Sequence, residues 1–282
     1  MVASRFVVVL ALIGSGVAYS SAAAAYCRVT TCQPDKESCP KNGHGCDTRG
    51  VPAKWSTGNV KLLVDDGGSV LRDPSGSDTL AAVQAAVQSW TSADCKGGGH
   101  PSLRVATSPA SGLSAGFNST GANQNVVVYE DAAWPYEPNA LAKTVLGLNL
   151  DTGEILDSDL AINSGEYPFT LNPATPDEVD VLAVLTHEIG HFLGLGHSDV
   201  PGATMQPEVK GFATLDLESL EPDDMAGICA IYPPGAKVEL PAPQPTTQSC
   251  AVSRGRLAAP ASSLVEWGAL FGALALRRRT KR

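Results

Sequence analysis

THEIGHFLGLGHSDVPGATM, residues Thr186 to Met205, holds three of the chain's five histidines. The apolar residues just before it (Val181, Leu182, Val184, Leu185) enter the stretch as a helix. Residues four apart on a helix project from one face, so His187 and His191 are placed to share one ion, and neutral imidazole suits zinc. Glu188 stands beside the first histidine, where it can take a proton from water without ligating the metal; this is the H-E-x-x-H arrangement. A helix that simply continued would carry His197 away from that face. Gly194 can adopt a left-handed conformation, stop the helix and let the chain swing His197 back as a third ligand. The bland alternative is a helix with core histidines on it, and it would leave Glu188 buried beside nothing positive, which is costly.

Upstream, the pattern reads strand, helix, strand. NVKLLV (Asn59 to Val64) is a strand, Asp78 to Ala93 a helix with apolar positions at Leu80, Val83, Val87 and Trp90, and SLRVA and NVVVY are two more strands. That order implies a parallel sheet with a crossover helix. KTVLGLNLDTGEILDSDLAIN holds two alternating apolar runs joined around Asp151, Thr152 and Gly153, which is hairpin chemistry, so one edge strand runs antiparallel. The helix bearing the histidines is expected from about Pro176 to Leu193, with Pro176, Asp177, Glu178 and Asp180 forming its first turn.

With these motifs the chain resembles the metzincin zinc peptidases, and within them the matrixins. HEIGHFLGLGHS is followed by ATMQP, similar to the matrixin segment that puts a methionine, here Met205, beneath the zinc ligands. LEPDDMAGICAIY (Leu220 to Tyr232) looks like the closing matrixin helix. The resemblance implies an α+β fold: a twisted, mixed, five-stranded sheet with one antiparallel edge strand, two long helices and a short C-terminal one. It also implies one catalytic zinc on His187, His191 and His197, with Glu188 as general base toward the water on that zinc and proton donor to the leaving amine. Substrate is then an extended peptide added to the edge strand, about Thr144 to Leu150. The side chain after the scissile bond would be received by a pocket walled by Gln206 to Leu217.

Departures from the family accompany the match. No histidine lies between His100 and His187, so the second, structural zinc of matrixins is not expected. Asp151, Glu154, Asp157 and Asp159 offer hard oxygen ligands for Ca2+, with a solvated hairpin turn as the blander reading. Pro207 stands where some metzincins carry a tyrosine, and no matrixin latency peptide is recognisable.

The ends of the chain read as export signals. Residues 1 to 25 have the charge, the apolar stretch and the small residues of a signal peptide. Residues 26 to 58 carry Cys27, Cys32, Cys39 and Cys46 at spacings that favour disulfides over a structural metal. The six cysteines up to Cys229 can pair in 15 ways, of which a Cys95 to Cys229 link is favoured. The catalytic domain is expected over 59 to 232, followed by a Pro-rich linker over 233 to 249. Residues 250 to 282, with Cys250, a short apolar run and an arginine-rich end, resemble the MYXO-CTERM sorting tails, which implies anchoring at the cell surface. A formal net charge of -9 argues against nucleic-acid binding.

The expectation is therefore an exported zinc endopeptidase. The alternatives are a non-catalytic zinc-containing surface module that binds a protein, and a zinc amidohydrolase acting on a non-protein amide. An intact Glu188 speaks against the first, since a binding module has no use for that carboxylate.

Overall fold

The structure is a computed structural model that describes residues 25–207 and 215–236. The signal-peptide-like stretch up to Ala24, the linker beyond Ala236 and the sorting-type tail lie outside the described residues.

A five-stranded sheet forms the frame, in the order β2-β1-β3-β5-β4. Its strands are β1 (Asn59–Asp65), β2 (Arg104–Ala110), β3 (Val126–Tyr129), β4 (Ala142–Leu148) and β5 (Ile155–Ile162). Four run parallel and β4 runs antiparallel to β5 along one edge, as the hairpin chemistry implied. The register shifts between Gly147 and Leu148, where a bulge closes that ladder. Gly153 takes φ +72° in the connecting turn, and a Cβ there would sit 2.5 Å from the Pro52 carbonyl oxygen.

Helix α1 (Gly76–Thr91) crosses from β1 to β2. It begins two residues before the expected start because Ser75 caps it, accepting from the Asp78 N–H while the Asp78 side chain accepts from the Ser75 N–H. Helices α1 and α2 (Val181–Phe192) cover one face of the sheet, burying Trp90, Leu62, Leu160, Ile162, Leu185, Ile189 and Phe192. Burial of these side chains is the main favourable term holding the frame together, at roughly 25 cal/mol per Å² of apolar surface.

The opposite face is thinner. Val126, Val128 and Ala161 pack beneath Leu113, Ala115, Trp134 and Tyr136 from two loops. The first of these loops is pinned by Asp159, whose two carboxylate oxygens accept the Gly116 and Val126 N–H groups. Phe117 lies against Gly147, where a Cβ would come within 2.7 Å of its ring.

The histidine-bearing helix starts later than expected, at Val181 rather than Pro176. Its upstream acids serve other ends. Glu178 folds back to accept the Ala174 and Thr175 N–H groups, and β6 (Phe169–Thr170) and β7 (Val179–Asp180) form a two-residue parallel pair. Asp180 is the N-cap, its Oδ1 accepting from Leu182 N at 2.9 Å and Ala183 N at 3.2 Å. The start signals were real, but one turn of them was spent on a tight turn and a strand.

The favoured Cys95–Cys229 disulfide is present and ties the segment after α1 to α3 (Pro222–Ile231). Cys27–Cys46 and Cys32–Cys39 close the N-terminal segment on itself. That segment packs into the same unit as the sheet, with Ala53 and Trp55 in the core.

Candidate metal centre and cleft

Helix α2 stops where the glycine argument requires. Gly194 has φ +96°, its N–H donates to the His191 carbonyl at 2.9 Å, and the Leu195 N–H donates to the Gly190 carbonyl at 3.0 Å. These two bonds form a Schellman motif, which satisfies carbonyls a helix end would otherwise orphan. The remaining carbonyls are met by aromatic side chains from elsewhere. Trp55 Nε1 donates to Phe192 O at 2.8 Å and the Tyr232 hydroxyl to Leu193 O at 3.0 Å, while further back in the helix Trp90 Nε1 donates to Thr186 O at 2.7 Å.

With the chain reversed at Gly194, the three imidazoles converge. Their ligand atoms lie within 4.8 Å of one another, with 3.1 Å between Nε2 of His187 and His191 and 3.2 Å between Nε2 of His191 and His197. Among the described residues this is the one group of three or more potential metal ligands. The hydrogen bonds of two of the rings fit a metal as well. His187 Nδ1 donates to the Thr204 carbonyl at 2.7 Å and His191 Nδ1 to the Leu195 carbonyl at 2.8 Å, so each Nε2 is left with a lone pair aimed at the centre. Burial and the neighbouring imidazoles push His191 well below the usual histidine range and His197 down to about 4. Three imidazole nitrogens at about 2.0–2.1 Å from a tetrahedral zinc stand roughly 3.4 Å apart, close to the separations observed.

Met205 is buried directly beneath. A Cβ on Gly190 would fall 2.2 Å from Met205 Sδ and 2.8 Å from the Trp90 ring, so the glycine between the ligands is what lets that floor approach the helix. Asp224, buried on α3, accepts the Thr204, Met205 and Glu221 N–H groups and fixes the methionine turn. Asp223 accepts from Ser198 Oγ at 2.7 Å, next to the third histidine.

Glu188 is buried, at 7% exposure, on the wall of a cleft of about 700 Å³. Thr144 Oγ1 on β4 donates to its Oε2 at 2.5 Å. No sequence pattern linked these two residues, 44 positions apart; the only prior signal was a hydroxyl among apolar alternation on the edge strand. The cleft runs between β4, represented by Ala142 to Thr144, Leu146 and Leu148 with Leu141 just before it, and α2, and it takes in His187, Glu188, His191 and His197. Gln206, Pro207 and Leu217 line it too, while residues 208–214 of the wall expected from the sequence lie outside the described residues. A contributor missed in the sequence is Val29: its N–H donates to Gly194 O and its carbonyl accepts from Ala53 N, so the cysteine-rich segment edges the cleft beside the helix end.

The four acids proposed for calcium do not form one cluster. Asp151 is exposed in the hairpin turn, Glu154 accepts from Ser56 Oγ, and Asp157 and Asp159 are buried on β5.

Residues 117–233 match the family model of the matrixins. The chain is 52% identical over 87 residues to matrilysin of Rattus norvegicus, covering 31% of each chain. It is 39% identical over 95 residues to metalloendoproteinase 1-MMP of Arabidopsis thaliana, 33% of this chain and 22% of that one. It is 40% identical over 95 residues to matrix metalloproteinase-16 of Homo sapiens, 33% of this chain and 15% of that one. The chain thus spans less than a third of the length of these curated relatives. The matched region carries β3 to α3 and the three histidines, and the mixed sheet with its helices is consistent with a matrixin fold.

Proposed function

We propose that this chain is an exported zinc-dependent endopeptidase. The observation that carries the reading is the convergence of three imidazole Nε2 atoms beside a buried carboxylate, at the wall of a cleft edged by an open strand. His187, His191 and His197 would hold zinc, which supplies Lewis-acid chemistry and acidifies water. Glu188 acts as general base, taking a proton from water in the cleft and returning it to the leaving amine. Thr144 orients it by holding Oε2, which leaves Oε1 for the proton transfer.

Strand β4 pairs on one side with β5, and its other edge offers backbone groups to an extended peptide substrate. Three disulfides favour an oxidising, extracellular setting. Export by the N-terminal signal-like stretch, surface anchoring through the tail and the absence of a nucleic-acid partner belong to the same proposal.

The test is the zinc-loaded full chain on a denatured protein and a broad peptide library, with and without chelator, beside Glu188→Ala. Cleavage that chelator stops and zinc restores supports the reading. A protein that binds one zinc and cleaves nothing would return the chain to the binding-module alternative. Hydrolysis of small amides alone would favour the amidohydrolase.

A further inference from the structure

One end of the cleft is acidic in a way the proposed chemistry does not use. Asp180 lines it and is fully buried. Capping α2 employs only one of its oxygens: Oδ1 receives both N–H groups, and Oδ2, equally buried, has no hydrogen-bond partner. An asparagine or serine would cap the helix as well without burying a charge. A second carboxyl, Glu218 on the 3-10 helix Leu215–Glu218, is raised in pKa by burial first and then by the neighbouring Asp180. The Lys41–Asp47, Arg49–Glu37 and Lys143–Glu137 ion pairs lie elsewhere.

Between this pair and the histidines the wall is apolar, made by Ala183, Val184 and Leu217. Asp180 precedes His187 by seven positions, about 10 Å along a helix axis, which suits a long, unbranched side chain with a charged end.

We infer that this end of the cleft is a subsite for a basic side chain, the lysine or arginine that follows the scissile bond, with its cationic head between Asp180 Oδ2 and Glu218 and its methylenes against Ala183, Val184 and Leu217. The inference rests on the endopeptidase reading and adds a substrate class to it. A buried, unpaired carboxylate discriminates strongly, because an apolar side chain would leave it unpaired while a cation satisfies it.

The experiment compares kcat/KM of the zinc-loaded full chain on peptides differing only after the scissile bond: arginine, lysine, leucine or glutamate. The expected ratio of arginine or lysine to leucine is about tenfold or more, and falls by at least about tenfold in Asp180→Asn, which keeps the capping oxygen. Glu218→Gln, away from the helix cap, lowers it in the same direction and covers the case in which Asp180→Asn fails to fold. A leucine preference in the wild type, or a ratio both variants leave unaltered, overturns the subsite while leaving the peptidase standing. Calorimetry with n-butylguanidinium supplies a readout without turnover. Saturable binding weakened by either substitution, in a protein that cleaves no peptide, keeps the subsite and removes the peptidase; no binding together with no basic preference removes the subsite.

Discussion

Two segments meet beside the three histidines, and they are held by different physics. Residues Gly190 to Met205 are ordered by close packing and backbone hydrogen bonds: a Schellman turn at Gly194, indole and phenol donors on the helix-end carbonyls, and Asp224 under the methionine turn. The cysteine-rich segment, Ala25 to Gly58, is largely exposed over residues 34 to 50 and is closed by two disulfides. It reaches the site through a narrow contact, the Arg28 to Leu195 bridge with Val29 N–H on Gly194 O and Gly196 N–H on Cys27 O. The difference teaches that the first segment has no slack where the ligands sit, whereas the second borrows its rigidity from cross-links. Damage to the first should therefore register in metal binding and activity, and damage to the second in stability.

The largest effect is expected from Glu188→Ala, which should lower peptide hydrolysis by about 10²–10⁴-fold or more while zinc content, read by native mass spectrometry, stays at one ion. Its thermal midpoint should move by only a few degrees; a collapse of the fold would mean that the carboxylate is structural.

Removing Cys27–Cys46 by a double serine substitution should cost about 3 kcal/mol in denaturant unfolding, from the entropy of the loop it closes. Zinc affinity measured by competition with a chelator should hardly change. If it falls as far as in the next variant, the two segments are one device and the comparison fails.

Gly194→Ala places a side chain at φ +96° with its Cβ 2.7 Å from the Ala53 carbonyl oxygen. About 2 kcal/mol of stability should be lost, and here zinc affinity should fall as well, because His197 is aimed by this turn.

The smallest effect concerns the outer face, where neither close helix packing nor a cross-link operates. Asp157 is buried with an unpartnered Oδ1, and burial, then Asp159, raises it from 3.8 to about 7. The folded state holds this proton where the unfolded state has released it, so this group makes stability fall as pH rises through that window and level off above it. Asp157→Asn should flatten that slope in thermal melts at graded pH. A variant that keeps the wild-type slope would assign the proton elsewhere.

Much of the frame was readable before any coordinates. Alternation located the strands and the antiparallel edge, helical periodicity located α1, and three histidines with a glycine at fixed spacings located the metal centre, because each of these is a local pattern that the backbone itself enforces. The start of α2 was misread for the same reason. Pro176, Asp177 and Glu178 carry the chemistry of a helix start, but a two-residue strand pairing with Phe169–Thr170 competed for that backbone and prevailed. Thr144 on Glu188, Val29 on the cleft wall, and Trp55 and Tyr232 on the end of α2 were not legible at all. Each pairs residues 39 to 165 positions apart, and nothing in one sequence reports such a distance.

The residues of Thr186 to Met205 alone determined that imidazoles could converge on a metal and that the helix between them must end at Gly194, since helix geometry and a left-handed glycine are properties of the local chain. Tertiary structure decided everything that depends on what faces that segment: that Thr144 orients Glu188, that two distant side chains close the helix end, that Met205 fits only because position 190 has no side chain, and that the second oxygen of Asp180 is left unpartnered beside the cleft. These are matters of burial and through-space contact, which appear only once the chain has folded back on itself.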